Sequence, residues 1–233
     1  MKTLFDGKYA PITDMIGFIR CSPARAADLF VEWQRPIQGK RGVSVDATSI
    51  KGSLEASLRR LAPLTSVERR RYLFIPTRSN WTAFLDNGHQ GTDAFSPLSY
   101  MAEKLSCEAV RATYDPETRD GSGLAVIWEL YGPHVVDFSN TIRAVFVAND
   151  GNGLIFSESG EAQPYEDVEK YSSRLKRNRF TPQMLDHYLR AVGIEAFDEN
   201  FYQPEDQAAI LVEKRGPIAP ASREFQLADL QGS

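Results

Sequence analysis

A chain of 233 residues, 42% hydrophobic, 25% charged and 11% aromatic, is long enough to bury its own apolar core and has no compositional mark of disorder. Its net charge of −4 lacks the basic excess that drives polyanion binding, which excludes nucleic acid as the default partner. Two cysteines, Cys21 and Cys107, cannot make a disulfide framework. The charged start Met1-Lys2-Thr3-Leu4-Phe5-Asp6 and the lack of a long apolar run predict a cytoplasmic protein with no membrane span.

In chain order, Met15 to Cys21 reads as a short strand. Ser22-Pro23 then opens a helix, because serine can accept from a free backbone N–H and proline needs none. Ala26, Leu29, Phe30 and Trp33 share one face of that helix, which is expected to end before Pro36. A glycine-rich loop, Gly39 to Gly42, follows. Leu54, Leu58 and Leu61 mark a second short helix stopped by Pro63. Tyr72 to Thr77 and Trp81 to Asp86 read as a hairpin around Arg78-Ser79-Asn80. Ser96-Pro97 opens a helix carrying Leu98, Met101, Ala102 and Leu105. Glu108 to Tyr114 and Leu124 to Tyr131 are strands flanking the turn-rich Asp115–Gly123. Arg143 to Ala148 and Leu154 to Ser157 flank Asn149-Asp150-Gly151-Asn152-Gly153, where Asp-Gly suits the positive φ of a tight turn. Thr181-Pro182 opens a helix bearing Met184, Leu185, Tyr188, Leu189 and Val192, with Gly193 at its end. Ala209 to Lys214 is a late strand.

Strands joined by tight turns pair antiparallel. The expected fold is therefore α+β, a mainly antiparallel sheet built from hairpins with several amphipathic helices packed on one side. Residues 1–215 are expected to form a single globular domain and 216–233 a flexible C-terminal tail, although Phe225, Leu227 and Leu230 could dock.

Catalytic chemistry has few footholds. There is no G-x-S-x-G elbow, and Gly121-Ser122-Gly123 and Gly151-Asn152-Gly153 lie between strands, where no helix opens to hold a phosphate. The most suggestive segment is Asp86-Asn87-Gly88-His89-Gln90-Gly91-Thr92-Asp93. Asp86, His89 and Asp93 could ligate a divalent metal or act as acid and base, while Asp86, Asn87, His89 and Asp93 could contact a partner or ligand. Turn chemistry explains the same residues, through Asx side chains bonded to nearby backbone, and the spacing fits neither a calcium loop nor a zinc motif. His187 falls on the polar face of its helix and His134 at a strand end. Cys21 and Cys107 read as small buried core residues, with no local context for a reactive thiol. No cofactor and no metal site is expected.

Charge runs complete the reading. Arg59, Arg60, Arg69, Arg70 and Arg71 form one basic cluster, and Arg174, Lys176, Arg177 and Arg179 another. Glu195 to Asp206 is acidic and contains Phe197, Phe201 and Tyr202. Such runs usually pair within the chain. The sharper alternative makes Asp198, Glu199, Phe201 and Tyr202 a partner surface, with rings buried and carboxylates steering.

This general character is similar to that of many bacterial proteins of unknown function, immunity proteins that neutralise secreted toxins among them, and it transfers no residue roles. The expected function is a non-enzymatic cytoplasmic interaction protein whose partner is another protein, in its sharper form an immunity-type antagonist of a toxin. The alternative is a small-molecule-binding protein or enzyme that uses the loop Asp86 to Asp93.

Overall fold

The computed structural model describes residues 3–116, 123–136, 139–205 and 207–230. Its elements are β1 (Met15–Ile19), α1 (Pro23–Gly39), β2 (Ser44–Ile50), α2 (Leu54–Arg59), β3 (Leu64–Thr65), β4 (Arg71–Pro76), β5 (Thr82–Asp86) and α3 (Phe95–Leu105), followed by β6 (Ala109–Asp115), β7 (Ala125–Val136), β8 (Ser139–Asn149), β9 (Leu154–Gly160), α4 (Pro182–Ala191), β10 (Ala209–Arg215), β11 (Glu224–Phe225) and α5 (Leu227–Leu230). Nine strands form one sheet in the order β2-β10-β4-β5-β1-β6-β7-β8-β9. Every neighbouring pair in it is antiparallel. The α+β class and the antiparallel sheet are as the sequence predicts.

The helices lie on both faces of the sheet, not on one as expected. Alternation along the central strands explains this. In β4, Tyr72 and Phe74 join one apolar cluster with Phe30 of α1 and Leu98 of α3. Leu73 and Ile75 join the opposite cluster with Leu58 of α2 and Leu185 and Tyr188 of α4. A strand apolar at successive positions needs a cover on each side. Phe30 alone packs on Tyr72, Phe74 and Phe84 with ring centroids 4.5, 5.7 and 6.0 Å away, a burial whose loss by truncation costs about 3–5 kcal/mol. Gly17 lets α3 seat closely on β1, since a Cβ there would stand 3.1 Å from both Ala94 and Leu98.

Local chemistry sets the helix ends. Ser22 accepts from the Arg25 N–H at 3.4 Å and Thr181 from the Met184 N–H at 3.3 Å, each with proline following. Ser96 plays no such part: α3 begins at Phe95, with Ala94 as its uncapped first neighbour. Nor does α1 stop before Pro36. It runs to Gly39 because its last turn is anchored, with Gln34 and Gln38 buried and Arg35 Nε donating to the Val45 carbonyl at 3.1 Å. That carbonyl belongs to β2, an element absent from the sequence reading. Only Val45 of β2 is buried, so its polar composition hid a strand that pairs with β10 at seven positions.

The β8–β9 turn matches its reading, with Gly151 at φ 92° and the Asp150 N–H bonded to the Gly153 carbonyl at 3.2 Å. Most of the Asp115–Gly123 connection lies outside the described residues. The segment expected to be a loose tail is docked where it is described. Phe225 of β11 pairs with Leu64 of β3, and Phe225 and Leu227 pack on the core cluster. Arg70 donates to the carbonyls of Gly216 and Pro217 at 3.0 and 3.2 Å. Unpaired carbonyls and two apolar side chains find partners there, which a composition count does not foresee.

Candidate functional site

The loop after β5 is built around its own backbone. Asp86 is 1% exposed, and its two oxygens accept from the N–H groups of Gly88 at 2.8 Å and Asp93 at 2.9 Å. Burial raises its pKa to about 6 against the opposing pull of Arg69, whose Nε lies 3.4 Å away, and of those two N–H groups. Asn87 is buried as well, accepting from the N–H groups of Arg70 and Arg71 and donating to the Pro63 carbonyl. The His89 ring stacks on Phe225 with centroids 5.1 Å apart. Asp93 is exposed. The structure therefore does not bring the carboxylates of Asp86 and Asp93 and the His89 imidazole together. Among the described residues no group of three His, Cys, Asp or Glu side chains is placed to share a metal ion.

The acid-aromatic segment also comes apart. Phe201 and Tyr202 are 4% and 5% exposed. Both belong to the core cluster, and the Tyr202 hydroxyl donates to the Ala196 carbonyl at 2.8 Å. These rings are not available to a partner, which corrects the expectation that they anchor one. Asp198 accepts from the N–H and side-chain amide of Asn200 at 2.9 and 3.0 Å. Glu199 is exposed and lines, with Arg78, Glu55 and Glu205, an open cavity of about 320 Å³. Asp206 lies outside the described residues. The first basic cluster is engaged internally: Arg59 pairs with Glu55, Arg69 with Asp86, Arg70 with Glu68 and Arg71 with Glu213. His187 and His134 are exposed.

A different surface stands out at the far end of the sheet. On the face covered by α1 and α3, the apolar cluster takes Tyr131 from β7 and nothing from β8 or β9. α1 lies over β2, β4 and β10, and α3 over β1, β6, the Tyr131 end of β7 and, through Ser99 and Asn140, the start of β8. Beyond them the same face continues with Ile127 of β7, Ile142 and Phe146 of β8 and Ile155 of β9, none of which joins either core cluster. Ile127 sits opposite Phe146, and Ala148 opposite Ile155. Ile142 and Ile155 are each 37% exposed, and Phe95, against Tyr131, is 46% exposed. The patch ends on β9, the last strand in the sheet order, which among the described residues pairs with β8 alone and has the turn Lys176–Asn178 packed near it.

The opposite side of the same strands is firmly seated. Trp128, Val126, Val145 and Val147 are buried under Tyr165, Tyr171 and Tyr188. Beside them Arg143, 2% exposed at its side chain, meets the fully buried Glu166 carboxylate, Nη2 at 2.7 Å and Nε at 2.9 Å. Burial pushes the Glu166 carboxyl up, and hydrogen bonds from Arg143, the Gln163 N–H and Tyr171 outweigh it, so its pKa falls below the usual value. Those bonds, with Arg143 Nη1 donating to the Ser159 and Gly160 carbonyls, tie β8 to β9 and to Glu166. The other face of the hairpin can do one thing chemically: bury apolar surface and pair an edge strand.

The sequence reading missed this surface although a signal was present. In β8, Ile142, Ala144, Phe146 and Ala148 alternate with Arg143, Val145 and Val147, so both sides of the strand carry apolar residues. No helix among the described residues is long and apolar enough to cross a membrane. No family model, no curated protein and no solved structure matches this chain.

Proposed function

We propose that this chain is a non-enzymatic, cytoplasmic interaction protein, of the kind an immunity-type antagonist of a toxin exemplifies, and that it binds its protein partner through the outer face and outer edge of β7–β8–β9. The observation that carries this reading is the row Ile127, Phe146, Ile142 and Ile155, which belongs to neither core cluster. Contiguous apolar surface beside an unpaired strand edge is costly in water and favours a protein that supplies a strand or an apolar face. The loop Asp86–Asp93 is a weaker candidate for ligand binding, because Asp86 and Asn87 are already bonded to backbone.

The test is retention of a partner from the native host by three immobilised proteins: wild type, Ile142→Glu with Ile155→Glu, and Asp198→Ser with Glu199→Ser. The reading expects a protein held by wild type and by the acidic-segment variant and lost by the sheet-face variant, with all three equally folded by circular dichroism. Loss in the acidic-segment variant alone, or a co-purifying small molecule in place of a protein, would overturn it.

A further inference from the structure

The two cysteines occupy a register position of their own. β1 and β6 pair with Met15 opposite Thr113 and Ile19 opposite Ala109. Continued two residues past Ile19 and Ala109, into the bend at each strand end, the same register puts Cys21 across from Cys107. The Arg20 N–H donates to the Glu108 carbonyl at 3.0 Å, which makes Arg20/Glu108 a hydrogen-bonded pair and the next position a non-hydrogen-bonded one. The cysteine N–H groups bond elsewhere in keeping with this, Cys21 to the Ile19 carbonyl at 2.9 Å and Cys107 to the Ala102 carbonyl at 3.0 Å. At a non-hydrogen-bonded position facing Cα atoms are about 4.5 Å apart, inside the span of about 4.4–6.8 Å that a disulfide bridges. Both thiols are free and partly buried, and both pack against the apolar cluster under α1 and α3, close to the expectation of small core residues. Cys21 also lines a surface cleft of about 290 Å³ with Trp81, Thr82 and Gln207.

We propose that Cys21 and Cys107 are a reversible redox pair that closes to an intramolecular disulfide when a hydroperoxide is the oxidant. The roles of the two sulfurs follow from their contact. The Cys21 thiol donates a hydrogen bond to Cys107, which holds Cys107 below the ordinary thiol pKa and Cys21 above it, and the Arg25 guanidinium favours the thiolate of both. Cys107 is thus the thiolate that attacks first. Its sulfur bonds to one peroxide oxygen as the O–O bond breaks. Hydroxide leaves and takes up a proton as water, and Cys107 becomes a sulfenic acid, oxidised by two electrons. Cys21, after losing its proton, attacks that sulfur. The S–S bond forms, the S–O bond breaks, and the hydroxide leaves with the proton as a second water. In sum, two thiols and one hydrogen peroxide give one disulfide and two waters. The bridge would tie the β1–α1 junction to the α3–β6 junction, and thiol reductants would reopen it.

The experiment exposes the folded full chain to hydrogen peroxide, alkylates the remaining thiols and measures intact mass and linked peptides. Wild type is expected to lose two hydrogens in mass and both alkylatable thiols, to yield one peptide pair joining Cys21 to Cys107, and to recover both thiols with dithiothreitol. Cys21→Ser should accumulate a sulfenic acid that dimedone traps, and Cys107→Ser should consume its thiol about tenfold more slowly than wild type. Separate overoxidation of each cysteine with no linked peptide, linkage only between molecules, or equal rates for the two single variants would overturn the proposal.

Discussion

Replacing Arg143 by methionine tests the clamp that seats the β8–β9 hairpin. The substitution keeps most of the side-chain volume and removes every donor of the guanidinium. Glu166, with no exposed side-chain surface, then retains only the Gln163 N–H at 2.9 Å and the Tyr171 hydroxyl at 2.7 Å. The carbonyls of Ser159 and Gly160 lose donors at 3.3 and 2.9 Å. Stranding one partner of a buried ion pair costs about 3–5 kcal/mol, which for a chain of this length lowers the melting temperature on the order of 10 °C. Adding Glu166→Leu removes the stranded charge, so the double variant should lie within about 2 kcal/mol of wild type. The pH dependence has a definite sign. Because the folded Glu166 pKa is depressed, the stability it contributes is present above the unfolded value of about 4.3 and lost as pH falls through the folded one. The penalty of Arg143→Met should therefore shrink below about pH 4. Urea unfolding of the two single variants and the double, at neutral and acid pH, measures all of this. A single-variant penalty under about 1 kcal/mol, or a double-variant penalty equal to the sum of the singles, would refute the reasoning.

Other consequences follow from the same contacts. Deleting residues 218–233 strips Phe225 and Leu227 from the core cluster and the Phe225 ring from His89, so the chain should lose about 2–4 kcal/mol; a melting temperature unchanged within a degree or so would show that the segment does not dock. Asp14 is raised to about 7 by burial and by the negative charge of Asp115. Its contribution to stability is present below the unfolded pKa and lost as pH rises through the folded value, so Asp14→Asn should stabilise at pH 8 by on the order of 2 kcal/mol and not at pH 4; unfolding curves at the two pH values give the answer, and a stabilisation independent of pH would contradict it. Ile142→Glu with Ile155→Glu should leave the melting temperature within a few degrees of wild type, since both side chains are part-exposed and outside the cores; global unfolding of that variant would make them core residues.

The sequence was most legible where a local rule acts without tertiary help. Ser22-Pro23 and Thr181-Pro182 start helices as capping requires, and Asp150-Gly151 makes its turn. It was misleading where packing overrides such rules. Pro36 sits inside α1 because Gln34, Arg35 and Gln38 anchor the last turn, and β2 is a strand because β10 offers it a full ladder despite its polar side chains. The acid-aromatic run looked like an interface because sequence shows the order of residues and not their depth. Phe201 and Tyr202 point inward while the Asp198 carboxylate accepts from the Asn200 N–H. Cys21 and Cys107 are far apart in the chain, and only the β1–β6 pairing, which stops two residues short of each, brings their segments side by side. The bare sheet face was partly readable from the two-sided apolar alternation of β8, but which side lacks a helix depends on where α1 and α3 stop.

The most direct test of the interaction surface is amide hydrogen exchange of the full chain, free and with the partner retained by wild type. Binding through the outer face and outer edge should slow exchange across residues 154–160 of β9 and in the flanking part of β8, with the Asp86–Asp93 loop and residues 195–205 unchanged. Protection confined to that loop or to residues 195–205, with β8 and β9 exchanging as in the free protein, would contradict the account.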